Sequence, residues 1–219
     1  MDFKLLINFL KELQNNNSKE WFDQNRTEYE ALRKNWITYV GKVIDGLQSF
    51  DPSLNGLEPK ACIFRINKDI RFSKDKTPYK TNFGAIMNRG GKKSLFSGYY
   101  LHIDPKEIFI AGGAYQPTPE HLAALRQEID YNYEEFKAIA SNKIATKNFG
   151  TIGGEKLVRP PKGYELDNPA IEYLKQKSFI WVKNYSVKEL YSPTFIEEIL
   201  LSYKAMKPLN DFINRCAEN

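Results

Sequence analysis

Between Lys60 and Lys93 the chain carries ten lysines and arginines and only two acids, Asp69 and Asp75. That is a formal +8 in a chain whose net charge is +5, so all other residues sum to −3. Oxyanions are held by several fixed donors at once, and a guanidinium adds a planar, two-pronged contact to phosphate or carboxylate. Arg65 stands between Phe64 and Ile66, and Arg71 between Ile70 and Phe72. Apolar neighbours predict arginines that are partly buried and oriented, with both guanidinium groups turned into one shared hollow. Lys74, Tyr79 and Lys80 lie in the same stretch and complete the expected anion site, with Lys68 and Lys76 as further cations. The competing reading is a solvated basic loop in which the lysines pair locally with Asp69 and Asp75.

Those two aspartates have the chemistry of a general base or a magnesium ligand. Surrounding cations, however, favour the ionised carboxylate and make a weak base. Ion-pair organisation of the loop is therefore the expected role of both. His102 follows Tyr100 by one strand repeat, so both side chains project from the same face of a strand. A histidine there can move protons near neutrality or serve as a hydrogen-bonded structural group. Catalytic candidates are thus His102, Asp69 and Asp75, and no complete catalytic constellation is present. Arg89-Gly90-Gly91-Lys92-Lys93-Ser94 lacks the ending of a phosphate-binding P-loop, and no nucleophile-elbow, zinc-protease or dinucleotide motif occurs. Gly112-Gly113 permits close approach of a ligand to the backbone, but a turn is the expected use.

The elements that position these residues follow from periodicity. Apolar residues at three- and four-residue steps predict helices over 2–14 and 26–48, with Ser18 capping a short one between them. A turn-rich connector covers 49–58. Alternation predicts strands at 61–67, 82–88, 98–104 and 107–112, the last two joined tightly through Asp104-Pro105-Lys106. In the first strand Phe64 and Ile66 share one face, and Ile63 and Arg65 the other. Helices follow at 118–130 and 132–141. A small hairpin is expected over 148–165, turning at Gly153-Gly154, then a short helix over 168–176 and a fifth strand at 178–183. A last helix reaches about 216, kinked or broken at Pro208. The expected architecture is a single α+β domain, with a mainly antiparallel sheet of four to five strands packed against N-terminal and C-terminal helices. Residues 1–58 form a helical part, 59–116 the sheet with the basic loop, and 117–219 the remaining helices, hairpin and strand.

Composition narrows the class. At 219 residues, 42% apolar and 14% aromatic, the chain can bury a core without staples. Two cysteines, Cys62 and Cys216, and two histidines make a structural zinc site an unsuitable reading. No metal and no cofactor is expected. Both cysteines are read as reduced and the compartment as cytoplasmic. The opening residues are interrupted by Lys4, Asn8 and Lys11, so neither a secretion signal nor a membrane span is expected.

The chain resembles the bacterial and fungal proteins of the domain of unknown function 2461 family. The resemblance rests on Glu20-Trp21-Phe22 with Asn25-Arg26, on Phe64-Arg65-Ile66, and on the run from Asp69 to Lys80. Asn82-Phe83-Gly84, Gly98 to Ile103, Ala111-Gly112-Gly113, Arg159 to Tyr164 and Lys177-Ser178-Phe179 extend it over nearly the whole length. Ala111 stands where the family pattern has a first glycine of three. The resemblance implies no reaction, ligand or catalytic residue.

Three functions are consistent with this sequence. The first is binding, with or without turnover, of a small anionic ligand, phosphorylated or not, by Arg65, Arg71, Lys74, Lys80, Tyr79, Tyr100 and His102. A nucleic-acid surface over 60–93, with Tyr79, Phe96 or Tyr99 as stacking platforms, is the second. In the third, the basic loop docks an acidic protein partner.

Overall fold

The helices at the N-terminus form where side chains cap them and apolar residues recur. The computed structural model describes residues 1–217. In α1 (Phe3–Asn15) the Asp2 carboxylate accepts from the N–H groups of Lys4 and Leu5. Leu6, Leu10 and Leu13 are fully buried on its inner face, each contributing roughly 2 kcal/mol. Ser18 caps α2 (Lys19–Gln24) by accepting from the Trp21 N–H, as its type predicts. Helix α3 (Arg26–Gln48) buries Leu32, Trp36, Val40, Val43, Ile44 and Leu47 along one stripe. A short α4 (Pro59–Cys62) follows the connector.

Four strands make the only sheet among the described residues: β1 (Phe83–Met87), β2 (Gly98–Ile103), β3 (Ile108–Ala114) and β4 (Phe179–Tyr185). They lie in the order β1-β2-β3-β4 and every neighbouring pair is antiparallel. Between β3 and β4 the chain makes α5 (Pro119–Tyr131), α6 (Tyr133–Ala140), α7 (Lys143–Phe149) and α8 (Ile171–Leu174). After β4 come α9 (Val187–Leu190) and the long α10 (Phe195–Asn214). The inner sheet face, with Ala85, Met87, Tyr99, Leu101, Ile110 and Trp181, belongs to the single apolar core. Helix α10 crosses this face, and Tyr203 donates its hydroxyl to the Tyr100 carbonyl at 2.8 Å. Ile86, Tyr100, His102, Phe109 and Val182 form the half-buried outer face. This is the α+β domain that the sequence predicts. No helix of the described residues is long and apolar enough to cross a membrane.

Several elements differ from expectation. The strand predicted at 61–67 is replaced by α4 and an extended run joined to its neighbours by single bridges, Ile63 to Ala85 and Asn67 to Tyr79. Pro59, at the first helical position, favours a helical turn where alternation alone suggests a strand. The hairpin predicted over 148–165 does not form. Gly153 and Lys156 instead bridge to Ile180 and Gln176, so the segment pairs with the approach to β4 rather than with itself. Helix 168–176 shrinks to α8, and α7 and α9 were not foreseen. Pro208 does not break α10, although it offers no N–H to the Lys204 carbonyl. Met206, Leu209, Phe212 and Ile213 are all fully buried around it and hold the helix on course.

The glycine pair is not a turn. Gly112 and Gly113 lie inside β3, paired with Trp181 and Ile180. A Cβ on Gly112 would stand 2.9 Å from the Met206 sulfur, so this glycine lets α10 approach the sheet. Gly113 has φ +115°, and a Cβ there would lie 1.9 Å from the Phe179 carbonyl oxygen of β4. Gly113→Ala is therefore expected to destabilise the protein by about 2–4 kcal/mol, read as the midpoint of denaturant unfolding. Gly150→Ala, at φ +71° and ψ −143° with nothing within 4 Å of an added Cβ, should cost less, about 1–2 kcal/mol of backbone strain alone. Equal losses at the two positions would contradict the close approach of β3 and β4.

Candidate anion site

The extended run 63–67 is fixed along both of its edges. On one side the Phe64 N–H donates to the Gly84 carbonyl of β1 at 3.3 Å. On the other, Lys80 donates its N–H to Ile66 at 2.7 Å, and Lys68 donates to Pro78 at 2.9 Å. The turn between α1 and α2 then clamps the returning strand. Asn17 donates its amide to the Tyr79 carbonyl at 2.9 Å and accepts the Tyr79 N–H at 3.1 Å. Tyr79 stacks on Phe22 of α2 with ring centres 4.0 Å apart. These contacts set the run opposite the first turns of α3, and a hollow of about 430 Å³ lies between the two.

Six cationic side chains bound that hollow: Arg26, Arg33, Lys60, Arg65, Lys80 and Lys92. Among the described residues no acidic side chain lines it. Arg26 pairs with Asp23 and lies over the Phe22 ring. Arg33, Lys60 and Arg65 make no hydrogen bond or ion pair among the described residues. Lys80 lies 5.4 Å over the Phe64 ring. Burial, and then the like charge of Arg65, push its ammonium pKa down. Lys92 reaches only the Ala61 carbonyl, at 3.4 Å. Apolar and aromatic surface comes from Ile63, Phe64, Ile66 and Tyr29. The Tyr29 phenol is held neutral by burial, while Arg33 and Arg26 pull its pKa the other way. Chemically the arrangement is a set of donors around a space, able to hold negative charge.

Three of the sequence-predicted residues, Arg65, Tyr79 and Lys80, come together here. Arg71 does not converge with Arg65. Its Nε and Nη2 donate to the two Asp69 oxygens at 2.9 and 2.7 Å, a fork between residues two apart in the chain. The guanidinium is three-quarters exposed. Lys74 is exposed in the same loop and does not line the hollow. Asp75 accepts from Lys68 at 2.8 Å and from the Thr77 N–H at 2.9 Å. The Lys68 contact, then those from Thr77, hold its carboxyl far below the usual range. Arg71 does the same, more weakly, to Asp69. Both aspartates therefore organise loop 68–77, and neither faces the hollow.

Tyr100 and His102 sit on the outer sheet face, outside the hollow. His102 Nδ1 lies 3.0 Å from the Tyr100 hydroxyl and 3.4 Å from the Asn82 amide nitrogen. Its ring stacks on Phe109 at 4.6 Å. A neutral imidazole with its proton on Nε2 can accept at Nδ1 from either group. Burial pushes the His102 pKa down, opposed by Asp104 and Glu107, and burial pushes the Tyr100 phenol up to about 12. Among the described residues no group of three His, Cys, Asp or Glu side chains is placed to hold a metal ion.

Sequence reading missed Arg26, Arg33, Lys60 and Lys92. The first two flank Tyr29 at helical spacings of three and four, on the part of α3 that the basic segment faces. That spacing is visible in the sequence, but which segment faces α3 is not.

The family model described as a conserved hypothetical protein, DUF2461, matches residues 6–212. The chain belongs to the DUF2461 family. All residues bounding the hollow, from Phe22 to Lys92, fall inside the matched span of this DUF2461 chain. No curated protein and no solved structure matches it.

The depressed pKa of His102 has a stability consequence. The unfolded histidine, near about 6.5, binds a proton that the folded one resists. Stability from this group is thus present above that pH and falls as pH drops toward the folded value. His102→Gln should flatten the dependence of unfolding free energy on pH below about 6.5. An unchanged slope would show that His102 is not the buried, neutral group described.

Proposed function

We propose that the protein binds a small anionic ligand of the phosphoryl class in the hollow between α3 and the extended run 63–67. The observation that carries this reading is the six-cation lining with no acid in it. Like charges brought together repel, and a surface loop would disperse them or pair them, as loop 68–77 does with Asp69 and Asp75. Here the cations converge from α3, α4, the extended run and the loop after β1. A bound anion relieves that repulsion and gains charge-assisted hydrogen bonds. The reading is one of binding, since the carboxylates of Asp69 and Asp75 and the imidazole of His102 lie outside the hollow.

Arg33→Gln and Arg65→Gln are each expected to weaken binding of inorganic phosphate about tenfold, measured by equilibrium dialysis at fixed ionic strength. The free variants should be as stable as the parent or more so, because a repulsive charge is gone. Arg71→Gln should leave binding unchanged. Phosphate affinity that is indifferent to both Arg33 and Arg65 would refute the site.

One observation favours a second reading, a nucleic-acid surface. Phe72 is 96% exposed, beside Arg71 and close to Lys74 and Lys76 in the chain. An exposed ring among cations can stack on a base. Single-stranded DNA or RNA would then bind at low salt and be released steeply as salt rises. Phe72→Ala would weaken that binding by about 1–3 kcal/mol. A flat salt response excludes the second reading.

A further inference from the structure

The hollow's charge, size and wall chemistry together specify more than an anion. We infer that its ligand is an organic diphosphate: two phosphoryl groups joined to an uncharged, ring-bearing part. The inference rests on the reading of the hollow as an anion site.

Charge is the first argument. Of the six cations, Arg26 alone has a carboxylate partner among the described residues. A single phosphate monoester carries about −1.5 to −2 at neutral pH, which leaves most of the remaining charge unmatched. A second phosphoryl group brings the ligand nearer to the site. Placement is the second argument. Arg33 projects from α3, and Arg65 and Lys80 come from the wall that faces it. Two joined phosphoryl groups can address one wall each.

The uncharged part follows from volume and lining. About 430 Å³ is within the range that holds whole organic ligands and exceeds what a bare diphosphate fills. Apolar and aromatic lining comes from Ile63, Ile66, Phe22, Tyr29, Tyr79 and the ring of Phe64, a residue 41% exposed. Lys80 sits over that same ring at 5.4 Å. A cation and an aromatic surface thus meet at one place, matching a small ligand that carries both a phosphoryl group and a ring. Asn67 adds a neutral amide to the lining for polar atoms of the organic part.

The test uses the full folded chain in isothermal titration at constant ionic strength, with inorganic phosphate, pyrophosphate, adenosine diphosphate and adenosine as probes. Pyrophosphate should bind about tenfold more tightly than phosphate. Adenosine diphosphate should bind more tightly still, by about threefold to tenfold, and adenosine should not bind measurably. Phe64→Ala, and Phe64→Leu as a variant that keeps apolar bulk, should weaken adenosine diphosphate more than pyrophosphate, bringing the ratio of the two affinities toward one. Equal affinities for phosphate and pyrophosphate would overturn the two-group inference while the anion site stands. Equal affinities for pyrophosphate and adenosine diphosphate, with no effect of Phe64, would overturn the organic part. If no anion binds, the site reading fails and the inference with it. An oligonucleotide that outcompetes adenosine diphosphate and depends on Phe72 would replace the inference with a polymer ligand.

Discussion

The clamp on Tyr79 is the constraint from which the rest of the site follows. Asn17 satisfies both backbone polar groups of Tyr79, and Phe22 stacks on its ring. Without that attachment the returning segment 78–80, which pairs with the run 63–67, would lose its tie to the α1–α2 turn, and only α4 and β1 would hold the run against α3. Buried backbone groups must be paired, so the two Asn17 bonds are costly to lose and narrow in geometry. They turn a basic, extended strand end into one wall of a cavity. The hollow is thus a product of three separate stretches: the α1–α2 turn, the start of α3, and the segment from α4 to Lys92.

Within that frame, the contrast between loop 68–77 and the hollow is informative. Both are rich in lysine and arginine. The loop consumes its own acids: Asp69 is taken by Arg71, and Asp75 by Lys68 and Thr77. It is electrostatically organised and needs no partner for its order. The hollow has the opposite character, with cations facing one another across a space and the one carboxylate partner, Asp23, outside the lining. Exposed ion pairs like those of the loop are worth little individually. Converging like charges beside partly buried apolar walls are screened less and matter more. The lowered pKa of Lys80 is the local sign of that difference.

Much of the fold was legible in the sequence, because amphipathic periodicity and capping residues are local signals. Ser18 and Thr118 cap the helices that follow them, as their residue types suggest. The β2–β3 hairpin turns at Asp104-Pro105-Lys106, where turn chemistry demanded it. What failed were segments whose state is decided by a distant partner. Residues 61–67 alternate like a strand, yet Pro59 starts a helical turn and only single bridges follow. Residues 153–157 pair with the approach to β4 and not with themselves. The site was half legible for the same reason. Arg65, Tyr79 and Lys80 stand in one basic run, and all three line the hollow. Arg26 and Arg33 lie on a helix far back in the chain, and only tertiary packing brings them across. Arg71, placed by its apolar neighbours, went instead to Asp69, a partner two residues away that local sequence contained all along.

The most direct measurement is a titration of pyrophosphate into isotopically labelled protein, following the side-chain Nε–H resonances of its arginines by nuclear magnetic resonance. Saturable shifts at Arg33 and Arg65, with Arg71 unmoved, are the result this account requires. Movement of Arg71 in their place, or no saturable movement at any of the three, would show that the hollow beside α3 is not where the protein holds an anion.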